Sequence, residues 1–150
     1  MKKIAKILAS FTALAFVVAP AVPASAYEAD AVVDGAVTVS TYADFEQAIE
    51  DATVSTINLG GDIDVPVDAE TGKGQVDITR DVTINGKDYA VKFDGSTEWK
   101  SNFLQVYKST VTVKDLTVEG GNLAFFVNGG TLNLEGTIDM SGNFGGIGIS

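Results

Sequence analysis

The sequence predicts an all-β fold: a parallel β-helix of about four rungs, with an amphipathic helix laid over its N-terminal end. Three observations lead there. The first is a repeat, in which Leu104–Asn122 (LQVYKSTVTVKDLTVEGGN) returns as Phe125–Asn143 (FFVNGGTLNLEGTIDMSGN). Leu104 maps to Phe125, Val106 to Val127, Thr110 to Thr131, Val111 to Leu132 and Val113 to Leu134, each pair 21 residues apart. A slip of one residue then puts Ile138 and Met140 22 residues after Leu116 and Val118. The second observation is that each copy holds three short alternating runs with turns between them. Three strands per rung is the arrangement of a parallel β-helix, and helical repeats of about 34 to 47 residues are too long to match. The third is a lone helical pattern placed just before the repeats.

Residues 1–26 read as a secretory signal peptide. Lys2, Lys3 and Lys6 form a basic start, Ile7–Val18 an apolar run, and Ala24-Ser25-Ala26 a small-x-small cleavage site that leaves Tyr27 first. The apolar run is shorter than the roughly 20 residues of a membrane span. Residues 27–39 are a lead-in, either without fixed structure or a first edge strand in which Val37 and Val39 alternate. Residues 40–150 form the β-helix domain.

Its cap helix is expected over residues 41–52. Ser40 or Thr41 can serve as N-cap, with Asp44 in the first turn. Tyr42, Phe45, Ala48, Ile49 and Ala52 share an apolar face, while Asp44, Glu46 and Glu50 are expected to face water. An open β-helix end exposes apolar side chains and strand edges, and such a helix covers both.

Thr56–Val67 is read as the first rung and Val76–Gly95 as the second, with a loop over residues 68–75. Asn85-Gly86 is a hairpin signal in isolation. Turns recur at Lys114-Asp115 and Glu135-Gly136, so it is read as a bend between strands of one coil, with a run of antiparallel hairpins as the competing fold. Val82–Val111–Leu132, Ile84–Val113–Leu134 and Ile78–Val106–Val127 are the expected inward ladders. Thr83, Thr112 and Asn133 are expected to point outward. Ile147 and Ile149 begin a further rung, so the domain is expected to be truncated at its C-terminal end.

The chain has 20 acidic and 10 basic residues, no His and no Cys. Removal of residues 1–26 takes away three lysines and no acid, which leaves a net charge of −13. That surface argues against nucleic acid and anionic membranes as partners. The missing His and Cys remove the commonest base, thiol nucleophile and zinc ligands.

The strings TYADFEQAI from Thr41, TINLGGDI from Thr56, ITRDVTINGK from Ile78 and TVTVKDLTVEGG from Thr110 resemble the pectate-lyase-like adhesive domain of bacterial surface proteins. The resemblance covers Thr41 to about Asn143. It implies a right-handed parallel β-helix in a secreted or wall-attached protein of a Gram-positive bacterium, adhesive and non-catalytic, binding a polysaccharide or an extracellular protein. The alternative is the N-terminal part of a polysaccharide lyase or glycoside hydrolase whose active site lies on later rungs.

Pectate lyases use an arginine base and calcium-holding aspartates. The only arginine here, Arg80, sits where Lys108 and Gly129 stand in later rungs, which suits a solvated turn, and no catalytic residue is assigned. Asp62, Asp64, Asp68 and Glu70 form the densest acidic run. Carboxylates so spaced could hold calcium, but the D-x-D-x-D-G pattern is absent and Pro66 interrupts, so a plain acidic loop is the alternative and no cofactor is assigned. Trp99, in a loop before the third rung, is the candidate ligand-binding aromatic, and with Tyr89 and Tyr107 it could offer a platform for sugar; a Trp folded over the edge of the coil is the alternative. Asn122 and Asn143, at equivalent turns, are expected to satisfy backbone groups.

Overall fold

The computed structural model describes residues 32–66, 74–93 and 102–150. Residues 1–26, expected to be a signal peptide, and Val67, Asp68, Glu70 and Trp99 lie outside the described residues. The fold is mostly β, its sheets are parallel, and the described residues hold one helix.

The strand β1 (Ala36–Val39) opens the first row and is followed directly by the helix α1 (Tyr42–Glu50). Next come β2 (Thr56–Leu59), β3 (Ile63–Val65) and β4 (Val76–Ile78). Then β5 (Val82–Asn85), β6 (Ala90–Phe93) and β7 (Asn102–Tyr107) repeat the order. The long β8 (Thr110–Glu119) pairs β5 with its first half and β6 with its second, and β9 (Leu123–Asn128) follows. Last are β10 (Thr131–Asp139) and β11 (Gly145–Ile149). The strands make a seven-stranded sheet and a separate four-stranded sheet, β11-β9-β7-β4.

All of these strand pairs are parallel, and their registers rule out the run of hairpins. A residue's partner lies from 20 positions away (Ala36 and Thr56) to 29 (Val82 and Val111). The spread comes from the connections, since the β6–β7 link is long and the β8–β9 link short. One inward column runs Val37, Ile57, Ile84, Val113, Leu134. Another runs Ile78, Val106, Val127, Ile149. Apart from Leu134 and Ile149 these residues are buried, so the columns form one continuous core. The expected outward residues Thr83, Thr112 and Asn133 fall in one register, and Asn133 donates to the Thr112 hydroxyl at 3.4 Å.

The lead-in contains a true strand. Val37 pairs with Ile57 and Val39 with Leu59, although the whole of α1 lies between them in sequence. α1 itself begins as expected, with the Thr41 hydroxyl accepting from the Asp44 amide at 3.1 Å. Asp44 does not face water as expected. It is buried, because its carboxylate turns back to accept from the Thr41 hydroxyl at 2.7 Å. The helix also stops at Glu50, short of Ala52. Asp51 takes extended backbone, and its carboxylate accepts from the Thr53 amide and hydroxyl, a local turn that competes with a further helical turn.

The turn after β5 is set by close approach. The Gly86 amide donates to the Lys114 carbonyl at 2.7 Å, and a Cβ there would lie 2.3 Å from the Asp115 carbonyl oxygen. That neighbour is backbone and cannot rotate away. Gly86→Ala is therefore expected to destabilise by about 1–3 kcal/mol, the usual cost of overpacking. Gly61→Ala, with nothing within 4 Å of the added carbon, is the matched control. Urea midpoints of both variants decide it, and equal midpoints would contradict the expectation.

Candidate functional site

The four-stranded sheet carries the most varied outward face. In β4 the exposed Asp77 lies between buried Val76 and Ile78, so it points away from the core. In register beside it run Gln105 of β7, Phe126 of β9 and Gly148 of β11. Two positions on from Gln105, Tyr107 pairs with Asn128. The outward row thus sets two aromatic rings among two amides and a carboxylate.

Local contacts fix these groups. The Gln75 side-chain amide donates to the Asp77 carboxylate at 2.9 Å. The Gln105 side-chain amide donates to the Tyr107 hydroxyl oxygen. Gln105 is only 9% exposed, so its body is packed and its polar end is directed. Phe126 is half-buried because Gly148 leaves it room: a Cβ on Gly148 would lie 2.8 Å from the Phe126 ring. A flat ring bounded by fixed donors and acceptors can stack on an apolar face and bond the hydroxyls around it.

An acidic groove of about 210 Å³ borders this row beside α1, lined by Glu46, Ile49, Glu50, Gln75, Val76 and Asp77. Burial, and then the Glu46 carboxylate, hold the Tyr42 phenol well above its usual range. A second, open groove of about 390 Å³ is lined by Asp64, Val65, Pro66, Lys92 and Phe93.

Of the acidic run, the described members serve different ends. Asp62 forms an ion pair with Lys92 at 2.6 Å and accepts from the Ala90 amide at 2.9 Å. Asp64 lines the larger groove. Among the described residues, no group of His, Cys, Asp or Glu is arranged to hold a metal ion. Of the expected aromatic platform, Tyr107 belongs to the outward row, while Tyr89 stands exposed just before β6, a strand of the other sheet.

The Lys92 ammonium, and next the Ala90 amide, hold the Asp62 carboxyl below its usual range. A lowered folded pKa stabilises above the unfolded value, about 4, and that contribution is lost as pH falls through the folded pKa. Asp62→Asn keeps an acceptor for Ala90 and removes the charge. Its urea midpoint is expected below wild type at neutral pH, with the gap closing in acid. A gap unchanged in acid would contradict the assignment.

Arg80 is not in a solvated turn. Its Nε donates to the Ile49 carbonyl at 2.8 Å, one terminal nitrogen to Ala48 at 2.8 Å, and the other to Val54. Its guanidinium therefore closes the C-terminal end of α1, where carbonyls lack helical partners. Lys108 and Gly129, two positions beyond Val106 and Val127 in the same register as Ile78, adjoin no helix among the described residues. Asn143 behaves as expected. Its side chain accepts from the Gly121 amide at 3.0 Å and donates to the Val118 and Met140 carbonyls.

The family model described as "putative pectate lyase-like adhesive domain" matches residues 36–143. No curated protein and no solved structure matches the chain.

Proposed function

Because the chain belongs to the pectate lyase-like adhesive domain family, we propose that it is a non-catalytic adhesive module of an exported protein, and that the outward row of Asp77, Gln105, Tyr107, Phe126 and Asn128 takes a carbohydrate polymer. In this reading the parallel rows are the faces of a right-handed β-helix, α1 is its N-terminal cap, and residues 1–26 are removed on export. The observation that carries the ligand assignment is the half-buried Phe126 ring beside the Gln105–Tyr107 pair. Aromatic stacking with flanking hydrogen bonds suits pyranose rings, and parallel strands about 4.8 Å apart offer a repeated polar surface along a polymer. The acidic surface favours neutral or basic polymers over acidic ones.

The test is retention of the full-length protein on immobilised polysaccharides, compared with Phe126→Ala and Gln105→Ala. Neutral glycans are expected to retain the wild type, and Phe126→Ala to lose about 1–3 kcal/mol of binding, the scale of a stacked aromatic contact at the centre of an interface. Unchanged circular dichroism of the variants separates loss of binding from loss of fold. Binding only to protein-coated surfaces would replace the ligand class, and equal retention of wild type and both variants would remove the site. N-terminal sequencing of the secreted protein is expected to begin at Tyr27.

A further inference from the structure

We propose that Asn128–Gly129 is a site of spontaneous deamidation, and that the fold protects the protein's other Asn–Gly pair, Asn85–Gly86, from the same reaction. The chemistry needs the amide nitrogen of the following residue to reach Cγ of the Asn. The new bond between that nitrogen and Cγ closes a five-membered imide, and the bond from Cγ to Nδ2 breaks to release ammonia. Water then opens the imide at either carbonyl, giving aspartate or isoaspartate. A following glycine favours closure because it has no Cβ in the way and a mobile backbone.

The two pairs differ in their surroundings. At Asn85 both reacting groups are engaged: the Gly86 amide donates to the Lys114 carbonyl at 2.7 Å, and Asn85 Oδ1 accepts from the Lys87 amide at 3.2 Å. Gly86 is also pressed against the Asp115–Leu116 backbone, so the movement that brings nitrogen to carbon is blocked. Gly129 stands in the opposite situation. It is exposed at φ +67°, in the link between β9 and β10, and a Cβ added there would meet only Lys108 Cγ at 3.7 Å. The peptide unit that carries the Gly129 nitrogen is tied through the Asn128 carbonyl to the Lys108 amide by a bond of 3.3 Å, longer than the 2.7 Å bond that holds the Gly86 nitrogen itself.

Position gives the reaction a consequence. Asn128 pairs with Tyr107. Either product places a carboxylate at that end of the outward row, and isoaspartate also lengthens the main chain entering the link. Under the adhesive reading, an ageing molecule would change charge beside its own ligand. The modification does not depend on that reading.

The experiment is peptide mapping by mass spectrometry of the full-length protein aged in mildly alkaline buffer, folded and in urea. In the folded protein the amide-to-acid mass gain is expected to accumulate several-fold faster at Asn128 than at Asn85. In urea the two rates are expected to converge. Asn128→Gln, whose larger ring closes slowly, is expected to remove the gain from that peptide. Equal folded rates, faster change at Asn85, a persistent difference in urea, or no gain at Asn128 would each overturn the proposal. The readout is mass, so a failed ligand screen leaves it standing and its failure leaves the ligand site standing.

Discussion

Replacing Phe45 with alanine is expected to destabilise the protein by about 3–5 kcal/mol, the range for deleting a buried aromatic ring. Phe45 is fully buried on the inner face of α1. Its ring lies 5.4 Å from that of Phe103, which in turn meets Phe93 edge-on at 6.4 Å. The three rings join the helix to β6 and β7, strands that follow it by one full passage through β2, β3 and β4. The ring is wholly enclosed and packed against Phe103, so the cost should fall in the upper part of the range. Urea denaturation measures it. A loss below about 1 kcal/mol would mean that the helix is not seated on the core as described. Phe103→Ala should show a similar loss. The double variant should lose less than the two single losses combined, because the second substitution removes a contact already broken.

Arg80→Ala is expected to cost about 2–4 kcal/mol. Hydrogen bonds to charged groups contribute about 1.5–3 kcal/mol each. Arg80 makes several such bonds, to carbonyls at and just beyond the C-terminal end of α1. The sum is reduced because Arg80 is only half-buried and water can reach some of the freed carbonyls. Arg80→Lys should recover less than half of the loss, since a single ammonium cannot serve carbonyls spread around a planar fork. Amide exchange should show where the loss falls. The amides of α1 are expected to exchange faster in Arg80→Ala while those of β8 change little. An equal increase throughout would place the role of Arg80 in the whole core and not at the helix end.

The parallel columns are legible in the sequence because two signals coincide in the same residues. Val111 and Val113 alternate with threonine, and each reappears 21 positions later as leucine. β1 is harder to read. Its two valines match Ile57 and Leu59 in phase, but a helix interrupts them, and a four-residue strand without an adjacent repeat resembles a lead-in. Asp44 and Arg80 depart from expectation for a common reason. A charged side chain is taken to face water unless its partner is known, and the partners here are a neighbouring hydroxyl and carbonyls 26 to 32 residues away. The outward row is legible in principle. Phe126 falls on the outward phase of its strand, between the inward Phe125 and Val127, so alternation alone places its ring on the outer face. Without the register that sets it beside Gln105, Phe126 is one more apolar residue in an apolar run.

The registers carry a mechanical consequence. Each strand pairing joins a residue only to the preceding or following passage of the backbone, never to a distant one. Strand cohesion is therefore passed on stepwise, as in a zip, and the energy of any one step depends on its immediate neighbours alone. Such an object has no single keystone. Among the described strands, β8 is gripped on both edges, by β5 and β6 on one side and β10 on the other. For a module that holds one surface to another, a load applied at one end would then be spent on a few strands at a time, and the rest of the molecule would keep its grip.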